Sequence, residues 1–129
     1  MERINVTTGT VWENKVGYSR AVKVGNQVFV SGTVAVNDNN EIVGIDNPYE
    51  QAKFIFKKIE KALIQAGSKL SDVVRTKMYV TDINDAEQIG KAHAEFFNDI
   101  KPASTMIEIS KLVDPKMLVE IEVDAVIQK

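Results

Sequence analysis

Three acidic side chains, Glu120, Glu122 and Asp124, stand two residues apart near the end of this 129-residue chain. In a β-strand that spacing puts all three on one face, with Val119, Ile121, Val123 and Ala125 on the other. Two readings fit. A solvent-facing stripe, with a lysine beside it, would leave all three ionised. A carboxylate enclosed in a cleft would have a raised pKa and could move a proton or orient a water molecule. Tyr18 follows Gly17 just ahead of a strand, where it either lines such a cleft or packs its ring at a rim. Ser31 and Gly32 end an apolar strand. A glycine there lets a ligand or another backbone come close, although Ser-Gly is also ordinary turn chemistry. His93 falls on the apolar stripe of a helix, where a single imidazole usually sits in a core or an interface with one hydrogen bond.

Composition removes several other chemistries. There is no cysteine and only one histidine, so disulfides, thiolate nucleophiles, cysteine-ligated zinc and a multi-histidine site within one subunit are excluded. No metal or cofactor is expected. Sixteen basic against eighteen acidic residues give a formal charge of −2, which offers no field to draw in nucleic acid or an anionic membrane. No Ser-His-Asp set, P-loop, dinucleotide fingerprint or EF-hand loop is visible. Apolar runs stay below the roughly 18 residues of a membrane span. The start, MERINVTTGT, lacks the basic and apolar regions of a secretory signal. A cytoplasmic location is the expectation.

A single domain over residues 1–129 must position these groups, and its pattern reads β-β-β-α-β-α-β-β. Strands are expected at Arg3 to Val6 and at Ser19 to Val24, which meets Gln27 to Val30 across a Gly25-Asn26 turn. Asn37 to Asn40 is a polar turn, with a brief strand over Glu41 to Gly44. The first helix has Asn47 as N-cap, Pro48 at N1 and Glu50 placed for a capping box. Ala52, Ile55, Phe56, Ile59, Ala62, Leu63 and Ala66 share one face, and Gly67 ends it as a C′ residue. Lys57, Lys58 and Lys61 read as its solvated side. Val73 to Val80 is a strand. A second helix starts near Asn84, carries Ala86, Ile89, His93, Phe96 and Phe97 as its apolar stripe, and stops by Lys101-Pro102. Trp12 lies in a polar, loop-like stretch. Pro102 to Ala125 holds two strands joined by a Leu-Val-Asp-Pro turn.

These elements predict an α+β fold, a mixed β-sheet with two helices packed on one face. The chain has no helix left for the other face. Val28, Val30, Val74, Met78 and Ile107 cannot all share one face with every charged neighbour, so the bare face is a candidate association surface.

VGYSRAV, GNQVFVSGT, the Ala66-Gly67 helix end, VVRTKMYVTDIND, AEFF and the PAS…VEIE block together span about Val16 to Val126. In these motifs the chain resembles the RidA/YjgF family of enamine/imine deaminases. The resemblance implies a chorismate-mutase-type protomer, a trimeric barrel (a homotrimer), and small-molecule ligands held in clefts between subunits. It implies Glu120 and Tyr18 as the catalytic pair, and Ser31, Gly32, Ser104 and Thr105 as substrate-binding. Catalytic members carry an arginine directly after Pro-Ala to clamp a substrate carboxylate. Here that position is Ser104, and an asparagine that some members carry on the second helix is Gly90. Weak or no activity on 2-imino acids is therefore expected, with Arg20, Lys101 and Arg75 as the cations that could substitute. A non-catalytic ligand-binding trimer is the alternative; an RNA-directed activity fits the charge less well.

Overall fold

The computed structural model describes residues 1–128. Its strands are β1 (Arg3–Val6), β2 (Ala21–Val24), β3 (Gln27–Thr33), β4 (Val73–Val80), β5 (Ala103–Glu108) and β6 (Val119–Val126). Its helices are α1 (Val11–Val16), α2 (Pro48–Gln65) and α3 (Ala86–Phe97). One six-stranded sheet runs β1-β2-β3-β6-β4-β5. Among the described residues only β4 and β5 pair in parallel. Because β3 and β4 both run antiparallel to β6, the last strand fills the gap that the α2 crossover leaves. β5 and β6 are therefore not a hairpin: β4 lies between them.

The first long helix forms as its sequence dictates. Asn47 accepts from the Glu50 N–H at 3.0 Å, and Pro48 occupies the first turn, where no donor is needed. The Asn47 N–H bonds to the Gly44 carbonyl and does not need the Glu50 side chain. At the far end Gly67 takes φ 83°. The Ser68 and Gly67 N–H groups return to the Leu63 and Ile64 carbonyls, a Schellman ending. The second long helix starts two residues later than expected. A 3₁₀ turn over Ile83–Asp85 is capped by Asp82, which accepts from Asn84, so Asn84 lies inside a turn. The stretch around Trp12 is not a loop. Thr10 caps α1, Gly17 closes it at φ 90°, and the Trp12 side chain is exposed on it. Glu41 to Gly44 contributes only an isolated Val36–Ile42 bridge.

The core lies between α2 and α3 on one side and the sheet on the other. It contains Ile55, Phe56, Ile59, Leu63, Ile89 and Phe97 from the helices, with Phe96 packed at its border. Val119, Ile121, Val123 and Ala125 of β6 are fully buried beneath them. Each such valine, isoleucine, leucine or phenylalanine side chain contributes about 1.5–3 kcal/mol. Val28, Val30 and Met78 belong to this covered face. The bare face instead presents Phe29, Tyr79, Ile107 and the acidic stripe, with Phe29 and Ile107 exposed. Among the described residues no helix is long and apolar enough to cross a membrane.

Candidate functional site

The alternation of β6 separates its three acids from the core, but they are not equivalent. Glu120 is half-buried, and its carboxylate lies directly over Gly32, where a side-chain carbon would overlap it. The approach is possible because β3 breaks register with β6 between Val30 and Thr33, and because residue 32 has no Cβ. Burial pushes the Glu120 carboxyl above the ordinary 4.5, and Glu122 adds to this, against the opposing pull of Arg20.

Arg20 is the hidden cation of this region. It is only 6% exposed. Its Nη1 donates to the Gly32 carbonyl at 3.3 Å and to the Thr33 hydroxyl at 3.2 Å. Its Nε lies 4.0 Å from a Glu13 oxygen and has no hydrogen-bond partner among the described residues. Arg20 thus holds the irregular segment on which Glu120 rests. Glu13 on α1 is buried, which raises its pKa. Hydrogen bonds from the Thr8 hydroxyl and N–H and from the Thr10 hydroxyl, helped by Arg20, outweigh that and leave it below the ordinary value. Lys58 folds back from α2 to donate to the Val36 carbonyl at 3.0 Å. Burial and then Arg20 lower its pKa, against Asp38 and Glu13. It does not belong to the solvated lysine side.

Tyr18 and Ser31 line one depression of about 500 Å³ together with Arg3, Asn5, Glu13 and Ser19. The Tyr18 ring lies 5.7 Å from the Arg20 guanidinium carbon, and the Ser31 hydroxyl donates to the Ser19 carbonyl at 2.6 Å. Neither Glu120 nor Gly32 is in the depression's wall; Ser31, which is, directly precedes Gly32 in β3.

Ser104 lies elsewhere in the protomer. In register it faces Thr76, whereas Glu120 faces Tyr79, three residues along the same strand. An odd separation puts Ser104 and Glu120 on opposite sides of the sheet. Thr105, in register with Lys77, is on the bare side. One chain alone does not unite Ser104 with Glu120, Tyr18 and Ser31. Of the substitute cations, Arg20 is buried and engaged, Arg75 is exposed opposite Asp124, and Lys101 is exposed at φ 53°.

Two further polar groups had no sequence signal. The Tyr79 hydroxyl donates to Glu122 at 2.5 Å, and that bond pushes its pKa up to about 12. The hydrogen-bond partner of Glu122 is therefore a tyrosine, while Lys77 stands across the strand pair from Glu122 and Arg75 from Asp124. Gln51, fully buried in α2, donates to the Lys116 carbonyl and accepts from the Leu118 N–H, both at 2.9 Å.

The sequence profile of the family described as endoribonuclease L-PSP matches residues 11–127, everything from α1 to the end of β6. The chain belongs to this family. Rv2704 of Mycobacterium tuberculosis, a structure of the YjgF/YER057c/UK114 family, superposes with a TM-score of 0.89 at 42% identity. The match covers 98% of this chain and all of that one. A RutC family protein of Pyrococcus abyssi is 39% identical over 81% of this chain and 82% of its own length. An uncharacterized Streptomyces coelicolor protein is 33% identical over 93% and 89%. Within this family's fold, then, the chain has a half-buried Glu120 lying over Gly32 and a hydroxyl at position 104.

Proposed function

We propose that the protein hydrolyses reactive imines or enamines that lack an essential carboxylate, in clefts between the subunits of a homotrimer. The observation that carries this reading is the Glu120 carboxylate, half-buried over Gly32 with its pKa raised. A carboxyl group poised nearer neutrality can take a proton from water attacking the imine carbon and return it to the departing amine. Tyr18 and Ser31, in the adjoining depression, supply hydrogen bonds to the substrate. The trimer enters for a geometric reason: Ser104, on the other side of the sheet from Glu120, can join this group only from a second copy, and the bare sheet face carries exposed Phe29 and Ile107.

The neutral character of the substrate follows from charge. An arginine fork on a desolvated carboxylate contributes about 2–4 kcal/mol, whereas a serine hydroxyl contributes about 1 kcal/mol and no charge. RNA cleavage, which the family's description names, is the weaker reading here. The acidic stripe and the net charge of −2 repel a phosphate backbone.

The test is a set of three substitutions assayed on a neutral imine generated in situ by an amine oxidase. Glu120→Gln should abolish hydrolysis above background with the assembly intact, while Glu122→Gln and Asp124→Asn should be mild. Equal effects from all three would reduce the stripe to a structural feature.

A further inference from the structure

On the side of the sheet turned toward the helices, Ser104 of β5, Thr76 of β4 and His93 of α3 form a line of three hydrogen-bonding groups, of which the reading above uses only the Ser104 hydroxyl. The Ser104 and Thr76 hydroxyls are 2.8 Å apart, and Thr76 Oγ1 is 2.9 Å from His93 Nε2. Thr76 is fully buried, so its hydroxyl is a fixed link. Ser104 is exposed and His93 half-buried. The imidazole sits among rings, edge-on to Phe56 at 5.6 Å and tilted on Phe97 at 4.8 Å. Burial alone lowers its pKa from 6.5, with no charged neighbour contributing, so at neutral pH it is an uncharged base. Hydroxyl protons rotate freely. The Thr76 hydroxyl donates to Ser104 Oγ; turning both hydroxyl protons, with the imidazole proton on Nδ1, reverses the line to run donor to acceptor from Ser104 through Thr76 to His93.

We propose that Ser104 is a nucleophile toward small acyl esters and thioesters, activated through Thr76 by His93. Ser104 Oγ bonds to the acyl carbon while its proton passes to Thr76 Oγ1 and the Thr76 proton passes to His93 Nε2. The resulting oxyanion collapses and expels the alkoxide or thiolate, which regains a proton from His93 through the same line. Water then enters by the reverse route, releasing the acid and restoring the serine. β5 is the outermost strand, and an edge strand keeps unpaired N–H groups of the kind an oxyanion requires. Two residues on, Met106 lies in register with buried Met78 and gives a short acyl chain an apolar neighbour. This activity shares the Ser104 hydroxyl with the imine cleft but does not use Glu120, which is on the other side of the sheet, so Glu120→Gln should stop imine hydrolysis and leave Ser104 labelling unchanged. Either can fail without the other.

An alkyl fluorophosphonate is the probe, since Ser104 Oγ would displace its fluoride and keep a stable phosphorus bond. Peptide mapping should locate the label on Ser104, and Ser104→Ala should remove it. General-base assistance is worth about 10²–10⁴-fold, so Thr76→Val should slow labelling at least about 100-fold. His93 is the sole histidine, which makes its ring proton signal unique in an NMR titration. The wild-type labelling rate should fall at low pH with the midpoint of that titration, a coincidence that a packing role would not produce. A label distributed over other side chains, an undiminished rate in Thr76→Val, or a rate unchanged while His93 titrates would each overturn the proposal. The wild-type pH profile decides the matter even where a variant folds poorly.

Discussion

Glu120 owes its character to one missing carbon atom. Gly32 leaves room for the carboxylate, and Arg20 holds the Gly32 carbonyl and Thr33 hydroxyl. Gly32→Ala should therefore displace Glu120 and cost at least 10-fold in imine hydrolysis, by analogy with the large effects of small misplacements near reacting groups. Circular dichroism should remain native. The raised pKa also has a sign. Folded Glu120 binds its proton more tightly than an unfolded glutamate. Its stabilising contribution is thus complete below pH about 4.5 and lost as pH rises through the folded value. Glu120→Gln should be more stable than wild type to urea at pH 7, with the difference shrinking toward pH 4. A variant less stable at pH 7 would mean that Arg20 dominates the site. The stripe itself was legible in the sequence, because period-two spacing fixes the face. Which acid is enclosed was not, because depth depends on the β3 irregularity. Glu13 and Lys58 were illegible for a related reason: spacing along a helix does not say which lysine folds back onto a distant carbonyl.

Among the elements, α2 and β6 were plain in the sequence because cap, period and stop signal agree. The short α1 was missed: six residues with no apolar stripe give no periodic signal. Gln51 was missed too, since a glutamine on an otherwise apolar face has nothing to mark its partners. Its amide pins the segment leading into β6 to α2. Gln51→Ala leaves a main-chain donor and acceptor without partners, and should destabilise by about 1–3 kcal/mol. Phe56→Ala, beneath Phe96, Phe97 and His93, should cost about 3–5 kcal/mol. Both are measured by urea unfolding monitored at Trp12. A Gln51→Ala midpoint equal to that of wild type would show that the β6 segment is held by its sheet partners alone.

The assembled molecule follows from what one chain leaves undone. Its sheet has a face that neither α2 nor α3 covers, with exposed Phe29 and Ile107, and Ser104 lies on the opposite side of it from Glu120. The sequence reading placed Val28, Val30 and Met78 among the residues at issue for that face, but they pack under the helices. Alternation gives the two sides of each strand, yet which side faces the helices is settled only when all six strands are paired. Light scattering at micromolar concentration should give about three times the 14.3 kDa chain mass; a monomer would remove the intersubunit cleft. The most direct test compares two substrates made in situ, a neutral imine from an amine oxidase and 2-iminopropanoate from an amino-acid oxidase, each followed with and without the protein. Hydrolysis of the neutral imine should be accelerated and that of 2-iminopropanoate should stay close to background, with Ser104→Arg raising the latter. Wild-type turnover of 2-iminopropanoate above that of the neutral imine, or acceleration of neither, would contradict the account.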